Sequence, residues 1–223
     1  MSPRPTREHT MQNRGVVPTS DRERQLHEEG DWPVAGVDEA GRGALAGPVV
    51  AGAVVSDWCH SEPWHDEVRD SKQLTSAKRE RLFTFILSSS LSVGVGIISS
   101  EEIDRIGIAA ATRKAMHHAL QSLTTAPACV LIDWFTLPML RTRQEGVPGG
   151  DARCLSIACA SIVAKVTRDH IMVDLDQQYQ GYGFAAHKGY GTAAHLRHLS
   201  ERGTTPVHRI TFRPVRLIAG GLL

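Results

Sequence analysis

Residues 33–50 read PVAGVDEAGRGALAGPVV, and the parsing of this stretch decides the fold. An apolar run, Val34 to Val37, ends in two adjacent carboxylates, Asp38 and Glu39. A glycine-flanked arginine follows at Gly41-Arg42-Gly43, and Val49 to Val55 is apolar again. Two short runs rich in β-branched residues around a glycine-rich turn describe a hairpin. GRGALAG has the look of a dinucleotide-binding turn, but its spacing is wrong, and Pro48 opens a strand where that motif needs a helix. No Gly-Lys-Ser/Thr follows, so a P-loop fails as well. What remains is a turn of bare backbone, whose amides and carbonyls can approach a ligand, with Arg42 beside it as a phosphate donor. A plain tight hairpin would use the same glycines.

Outward from the hairpin, strands and helices alternate. Ser92 to Ile98 and Ala128 to Ile132 read as further strands, the second as a continuous apolar run of the buried kind. Ser76 to Leu87 carries Leu82, Phe83 and Ile86 at helical spacing. Ser99 and Glu102 resemble a capping box, and Ile108, Ala115, Ala119 and Leu123 continue a helical stripe. Leu155 to Tyr179 contains neither Gly nor Pro and reads as the longest helix, its Ala158, Ala160 and Ala164 suited to close packing. A glycine-rich loop, GYGFAAHKGYGT, leads to a short helix from Ala193 to Arg202. The expectation is an α/β fold with a central mixed β-sheet flanked by helices. Residues 1–30, polar and proline-containing, read as a flexible arm, 31–185 as the main domain, and 186–223 as a C-terminal helical and basic extension.

Composition excludes some partners and leaves others open. With 25 basic and 24 acidic residues the net charge is +1, so affinity for a polyanion must come from a local patch. Residues 186–223 supply one: Lys188, Arg197, Arg202, Arg209, Arg213 and Arg216 against Glu201 alone. Lys72, Lys165 and Arg168 are expected nearer the chemistry. Cys59, Cys129, Cys154 and Cys159 show no C-x-x-C spacing and read as reduced thiols. No apolar leader is present and no run approaches the ~18 apolar residues of a membrane span, so the chain is expected in the cytoplasm, off the membrane and as a monomer. His187, His195, His198 and His208 lack convincing metal spacing and read as packing or surface residues.

The acids carry the chemistry. Asp38 and Glu39 end the first strand, Asp133 ends another, and Asp151 precedes the longest helix. Carboxylates ending buried strands can meet at one sheet edge. Several gathered there without cations repel each other, so a cluster implies a hard divalent ion, and oxygen-only ligands favour Mg2+ or Mn2+. Each acid taken alone is more often a turn or cap residue, and only their convergence changes that. Adjacent strand residues also point to opposite faces, so Asp38 and Glu39 can serve one ion only if the strand bends or ends between them.

Taken together, GVDEAGRGALAGPVVAGAVV, DSKQL (70–74), the strand end LID, GD before SIACASIVAKVTRD, YGFAAHKGYGT and PVHRITF resemble bacterial ribonuclease HII, over about residues 34–215. The resemblance implies an RNase H-like fold with a C-terminal helical extension. It also implies endonucleolytic cleavage of the RNA strand of RNA-DNA hybrids, and of single ribonucleotides embedded in duplex DNA, by a two-metal-ion mechanism leaving 5'-phosphate and 3'-hydroxyl ends. Carried over by position, Asp38, Glu39, Asp133 and Asp151 bind the metals, and Asp169 stands nearby as a helper. The Gly41-Arg42-Gly43 backbone and Tyr190 recognise the ribonucleotide, whose 2'-hydroxyl distinguishes RNA from DNA. Three positions depart from the family's usual residues: Ala44 replaces a proline, Trp134 a glycine and Gly149 a lysine. A DNA nuclease of the same broad fold and a hybrid-binding module with degenerate ligands are the alternative readings.

Overall fold

β1 (Val34–Ala40) and β2 (Val49–Val55) form the expected antiparallel hairpin in the computed structural model, which describes residues 17–220. β2 pairs antiparallel with β3 (Ser92–Ile98). On its other side β1 pairs in parallel with β4 (Cys129–Asp133), and β4 in parallel with β5 (Arg143–Val147). The order β3-β2-β1-β4-β5 makes one five-stranded mixed sheet. No expectation from the sequence matches β5. Its residues, RQEGV, are partly exposed and polar because it is an edge strand, so no apolar run announces it.

Strand alternation sends side chains to two cores. Val34, Cys129 and Leu131 join Ile157, Cys159 and Val163 of α5 (Leu155–Gln178) on one face. Ala35, Val37, Val130 and Ile132 join Ala111, Ala115 and Ala119 of α4 (Ile108–Gln121) on the other. The close approach of α5 needs the strand glycines beneath it: a Cβ on Gly36 would lie 2.1 Å from the Ser156 carbonyl carbon, and one on Gly52 would lie 2.5 Å from the Ala160 oxygen. α2 (Ser76–Ser89) is capped by Thr75. At α3 (Ser100–Ile106) the Ser99 hydroxyl accepts the Glu102 N–H at 3.2 Å, and Gly107, at φ +78°, separates α3 from α4. The single helical stripe expected there is therefore two helices.

The expected arm needs correction. Residues 1–16 lie outside the described residues, but Asp21–Glu28 form a helix, α1, with Leu26 and Glu23 fully buried. Leu26 enters the α5 core, and the Glu23 carboxylate accepts the Ser156 N–H at 2.8 Å, serving an orphan amide in the first turn of α5. A cap supplied from 133 residues away leaves no local signal.

After α5 come α6 (Phe184–His187), α7 (Ala193–Arg202) and α8 (Arg213–Ala219). This part is laced to the segment behind the hairpin turn. The Leu45 N–H donates to Gly189 O, Arg209 N–H to Leu45 O and Gly47 N–H to Val207 O, each at 2.8 Å. Leu45 packs with Leu199 and Val215. No helix among the described residues is long and apolar enough to cross a membrane.

Candidate active site

The parallel register decides where the acids go. Val37 pairs with Ile132, so the next residues, Asp38 and Asp133, leave neighbouring strands at the same sheet edge. By alternation both lie on the α5 face, and Glu39 lies on the other. β1 does not break between Asp38 and Glu39; it stays paired with β2 through Ala40. Both acids nevertheless reach one hollow, because β1 runs on past the last residue it pairs with on β4, leaving its edge open there.

That hollow is a cleft of ≈ 540 Å³ walled by Asp38, Glu39, Asp133, the Gly41-Arg42-Gly43 turn, Lys72, Lys165 and Tyr190. Three more wall residues, Ser71, Arg79 and Ser161, were not anticipated from the sequence. Ser161 and Lys165 stand four apart on α5, so the helical period could have flagged one face of that helix. The Ser71 and Ser161 hydroxyls are 3.0 Å apart, and Arg79 donates to the Ser71 and Leu74 carbonyls at 2.9 and 2.6 Å, clamping the DSKQL loop.

The carboxylates are costly where they are. Burial first, then the charges of Glu39 and Asp133, push Asp38 well above the ordinary carboxylate range. Burial also raises Glu39, against the pull of Arg42, whose guanidinium is 3.7 Å away, and raises Asp133, against the Gly150 N–H that donates to its Oδ1 at 2.7 Å. Oxygen-only donors whose charge the protein compensates only in part suit a hard divalent cation. As placed, the acids line the walls rather than converge: among the described residues no three Asp, Glu, His or Cys side chains stand together as a ready-made metal site.

Asp151 does not wall this cleft, though its charge reaches Asp133 and helps to raise it. It lines an adjoining hollow with Asp70, Lys72 and Gln73, and Lys72 Nζ bridges the two spaces, donating to Asp151 Oδ2 at 3.3 Å. Burial draws the Lys72 ammonium down, but Asp70 and Asp151 outweigh it and carry it above the usual lysine value. Asp169 does not wall the cleft. It receives the Lys165 ammonium at 2.7 Å and lies 3.8 Å from Arg79, holding two cations against the wall.

Two arginines expected to meet phosphates are elsewhere. Arg168 is fully buried and donates to the carbonyls of Pro48, Lys188 and Ala46 at 2.9, 2.9 and 3.1 Å. Arg209, also fully buried, donates to Gly47 O and Arg42 O. Both lock the hairpin turn from behind, because several carbonyls there have no other donor. Arg197, Arg202, Arg213 and Arg216 remain exposed. Gly41 is explained by the same packing: at φ +88° its Cβ would lie 1.9 Å from Arg168 Nε, whereas a Cβ on Gly43 would meet open space. The departures also settle. Ala44 N–H closes the turn onto Gly41 O at 3.3 Å, a bond proline cannot make. Gly149 takes a left-handed conformation at φ +64°, and Trp134, 69% exposed, is held at φ +71°.

Known proteins resemble this chain over most of its length. The family model described as Ribonuclease HII matches residues 35–215. A protein of Dehalococcoides mccartyi named Ribonuclease HII is 49% identical over 93% of this chain and 98% of its own length. One of Geobacter metallireducens, with the same name, is 50% identical over 87% and 90%. The crystal structure of ribonuclease H2 from Pyrococcus horikoshii superposes with a TM-score of 0.73 at 30% identity, covering 85% of this chain and 98% of that one.

Proposed function

This chain belongs to the ribonuclease HII family, and on that premise we propose that its cleft cuts the RNA strand of RNA-DNA hybrids and incises 5' of ribonucleotides embedded in duplex DNA. The observation that carries the reading is the β1–β4 register. It brings Asp38 and Asp133 side by side into the cleft that also contains the Gly41-Arg42-Gly43 turn and Tyr190.

Asp38, Glu39 and Asp133, with Asp151 across Lys72, would hold divalent cations, Mg2+ or Mn2+. Bound there, such ions supply Lewis-acid activation of the phosphodiester and of water. The protein's own groups do the rest. The Glu39 N–H donates to Asp38 Oδ1 at 2.7 Å and the Gly150 N–H to Asp133 Oδ1, fixing one oxygen of each carboxylate. Arg42, Lys72 and Lys165 ring the cleft with positive charge for a phosphate, and Asp169 orients Lys165. The open side of Gly43 lets main chain approach a ribose, where amides and carbonyls can test for a 2'-hydroxyl. Tyr190, at the rim, closes on the sugar. Hydrolysis would leave a 5'-phosphate and a 3'-hydroxyl. Residues 31–185 act in this reading as the cutting unit and residues 186–223 as the grip, through the exposed Arg197, Arg202, Arg213 and Arg216.

The test is a duplex with one ribonucleotide beside its all-deoxy twin, with and without Mg2+ or Mn2+. Metal-dependent cleavage of the first alone is expected. Equal cleavage of both would make the cleft a DNA nuclease, and metal-independent binding without cleavage would make it a binding module.

A further inference from the structure

We propose that His195 and His208 form a one-way hydrogen-bond relay that positions Tyr190 in the cleft, a role beyond packing. The inference rests on the reading of Tyr190 as a substrate contact.

The direction of the relay follows from its fixed end. His208 Nδ1 lies 2.9 Å from the Thr205 backbone nitrogen, whose N–H can only donate, so Nδ1 is bare and the ring proton sits on Nε2. The Thr205 hydroxyl, 2.8 Å from the same Nδ1, is compatible with that assignment as a second donor. His208 Nε2 stands 3.1 Å from His195 Nε2. It must donate, so His195 carries its own proton on Nδ1, 3.0 Å from the Tyr190 carbonyl. One main-chain donor thus sets the tautomer of two rings and delivers a hydrogen bond to one carbonyl.

Both main-chain polar groups of Tyr190 are held. Its carbonyl also accepts the Thr192 N–H at 2.8 Å, and its own N–H donates to His187 O at 3.0 Å. Its ring, partly exposed in the cleft wall, lies under the Arg168 guanidinium, 5.4 Å from the ring centroid. The far end of the relay is anchored too, since His208 bridges to Ala46 just behind the hairpin turn. The relay therefore spans the two parts of the site that would read a ribonucleotide.

Packing alone does not require these residues. His195 is stacked on His187 at 4.3 Å and met edge-on by Phe184 at 5.6 Å, while Tyr182 and Phe184 lie beside His208 at 5.3 and 5.5 Å. A phenylalanine would fill that volume but break the chain of donors. The titratable groups facing the pair are His187, His198 and Tyr182, with the buried Arg209 next to His208 in sequence; among the described residues no carboxylate pairs with either ring. Burial draws both imidazoles below the ordinary histidine value, and His208, with His195 facing it, to about 4. Both rings stay neutral at working pH, as the relay requires, since a second proton would set two N–H groups head to head.

The experiment is a double-mutant cycle on cleavage of a duplex with one ribonucleotide, with thermal unfolding run on every variant. His195→Leu is expected to lower kcat/KM about tenfold, and His195→Asn, whose amide can donate from near the Nδ1 position, to recover most of it. In a Tyr190→Ala background His195→Leu should cost nothing further. Losses that multiply, or an Asn variant as poor as Leu, overturn the relay. A Tyr190→Ala variant of full activity overturns the reading of Tyr190, and the relay with it. Should His195→Leu fail to fold, His208→Leu against His208→Gln, which keeps a donor near Nε2, replaces it in the cycle: rescue by Gln supports the relay, and a Gln variant as poor as Leu overturns it.

Discussion

Two groups of buried charge lie within one site and are treated in opposite ways. At the sheet edge Asp38, Glu39 and Asp133 are anions taken out of water with few donors, and burial first, then neighbouring carboxylates, raise all three toward the neutral form. Behind the hairpin turn Arg168 and Arg209 are cations taken out of water, and burial draws both below the ordinary arginine value, Arg209 to about 9; what sets them apart from the acids is that main-chain carbonyls accept from both guanidiniums. A buried charge that the fold has solvated is scaffolding; one that the fold has left unsolvated stores affinity for an opposite charge from outside. The anions are thus the working end of the site and the cations its frame.

The sharpest way to break that contrast is Asp38→Asn. Cleavage should fall on the order of 10³-fold or more, while the metal-free protein becomes no less stable, because a desolvated charge has been removed. The pH dependence carries the same sign. A carboxyl raised in the folded state contributes stability that is present at low pH and lost as pH rises through its folded value. The wild-type minus variant difference in metal-free stability, followed by urea unfolding from acid to neutral pH, should therefore turn against the wild type as pH rises, and added Mg2+ should restore it. A wild type that gains on the variant over that range without metal would show that the anions are already compensated.

Arg168→Met tests the other half. It leaves three carbonyls without their donor and should cost about 3 kcal/mol in urea unfolding. A neutral result would remove the arginine from the frame. Gly41→Ala against Gly43→Ala refines the comparison within one turn. The first drives a methyl into Arg168 at a positive φ and should destabilise by about 2 kcal/mol. The second should leave stability within about 0.5 kcal/mol and instead raise KM, since its methyl stands where substrate is to approach. If both variants behave alike, the turn has no separate supporting and reading sides. The smallest effect is expected at Trp134, where relief of a left-handed conformation by Trp134→Gly should add about 1 kcal/mol, measurable as a raised thermal midpoint.

Much of this molecule is legible in one dimension, and the illegible parts share a cause. β1 to β4, α2, α5 and α7 follow from apolar periodicity and caps close in sequence. β5 and α1 do not, because β5 is a polar edge strand and α1 is held by Leu26 and Glu23 reaching the α5 region across more than a hundred residues. The acids are visible as strand ends, and glycines 41 and 43 as a bare turn. Arg168 and Arg209 are not distinguishable from surface arginines, since nothing local marks a guanidinium that will be wrapped by distant carbonyls.

Residue order alone, then, determined the hairpin, the alternation of strands and helices, the identity of the carboxylates and the motifs of a ribonuclease HII. Tertiary structure decided that Asp38 and Asp133 stand side by side, that Asp151 lies across a lysine from them, and which cations face solvent and which are entombed. The first set depends on neighbours within a few residues. The second depends on strand register and on burial, and those exist only once distant segments have packed and water has been excluded.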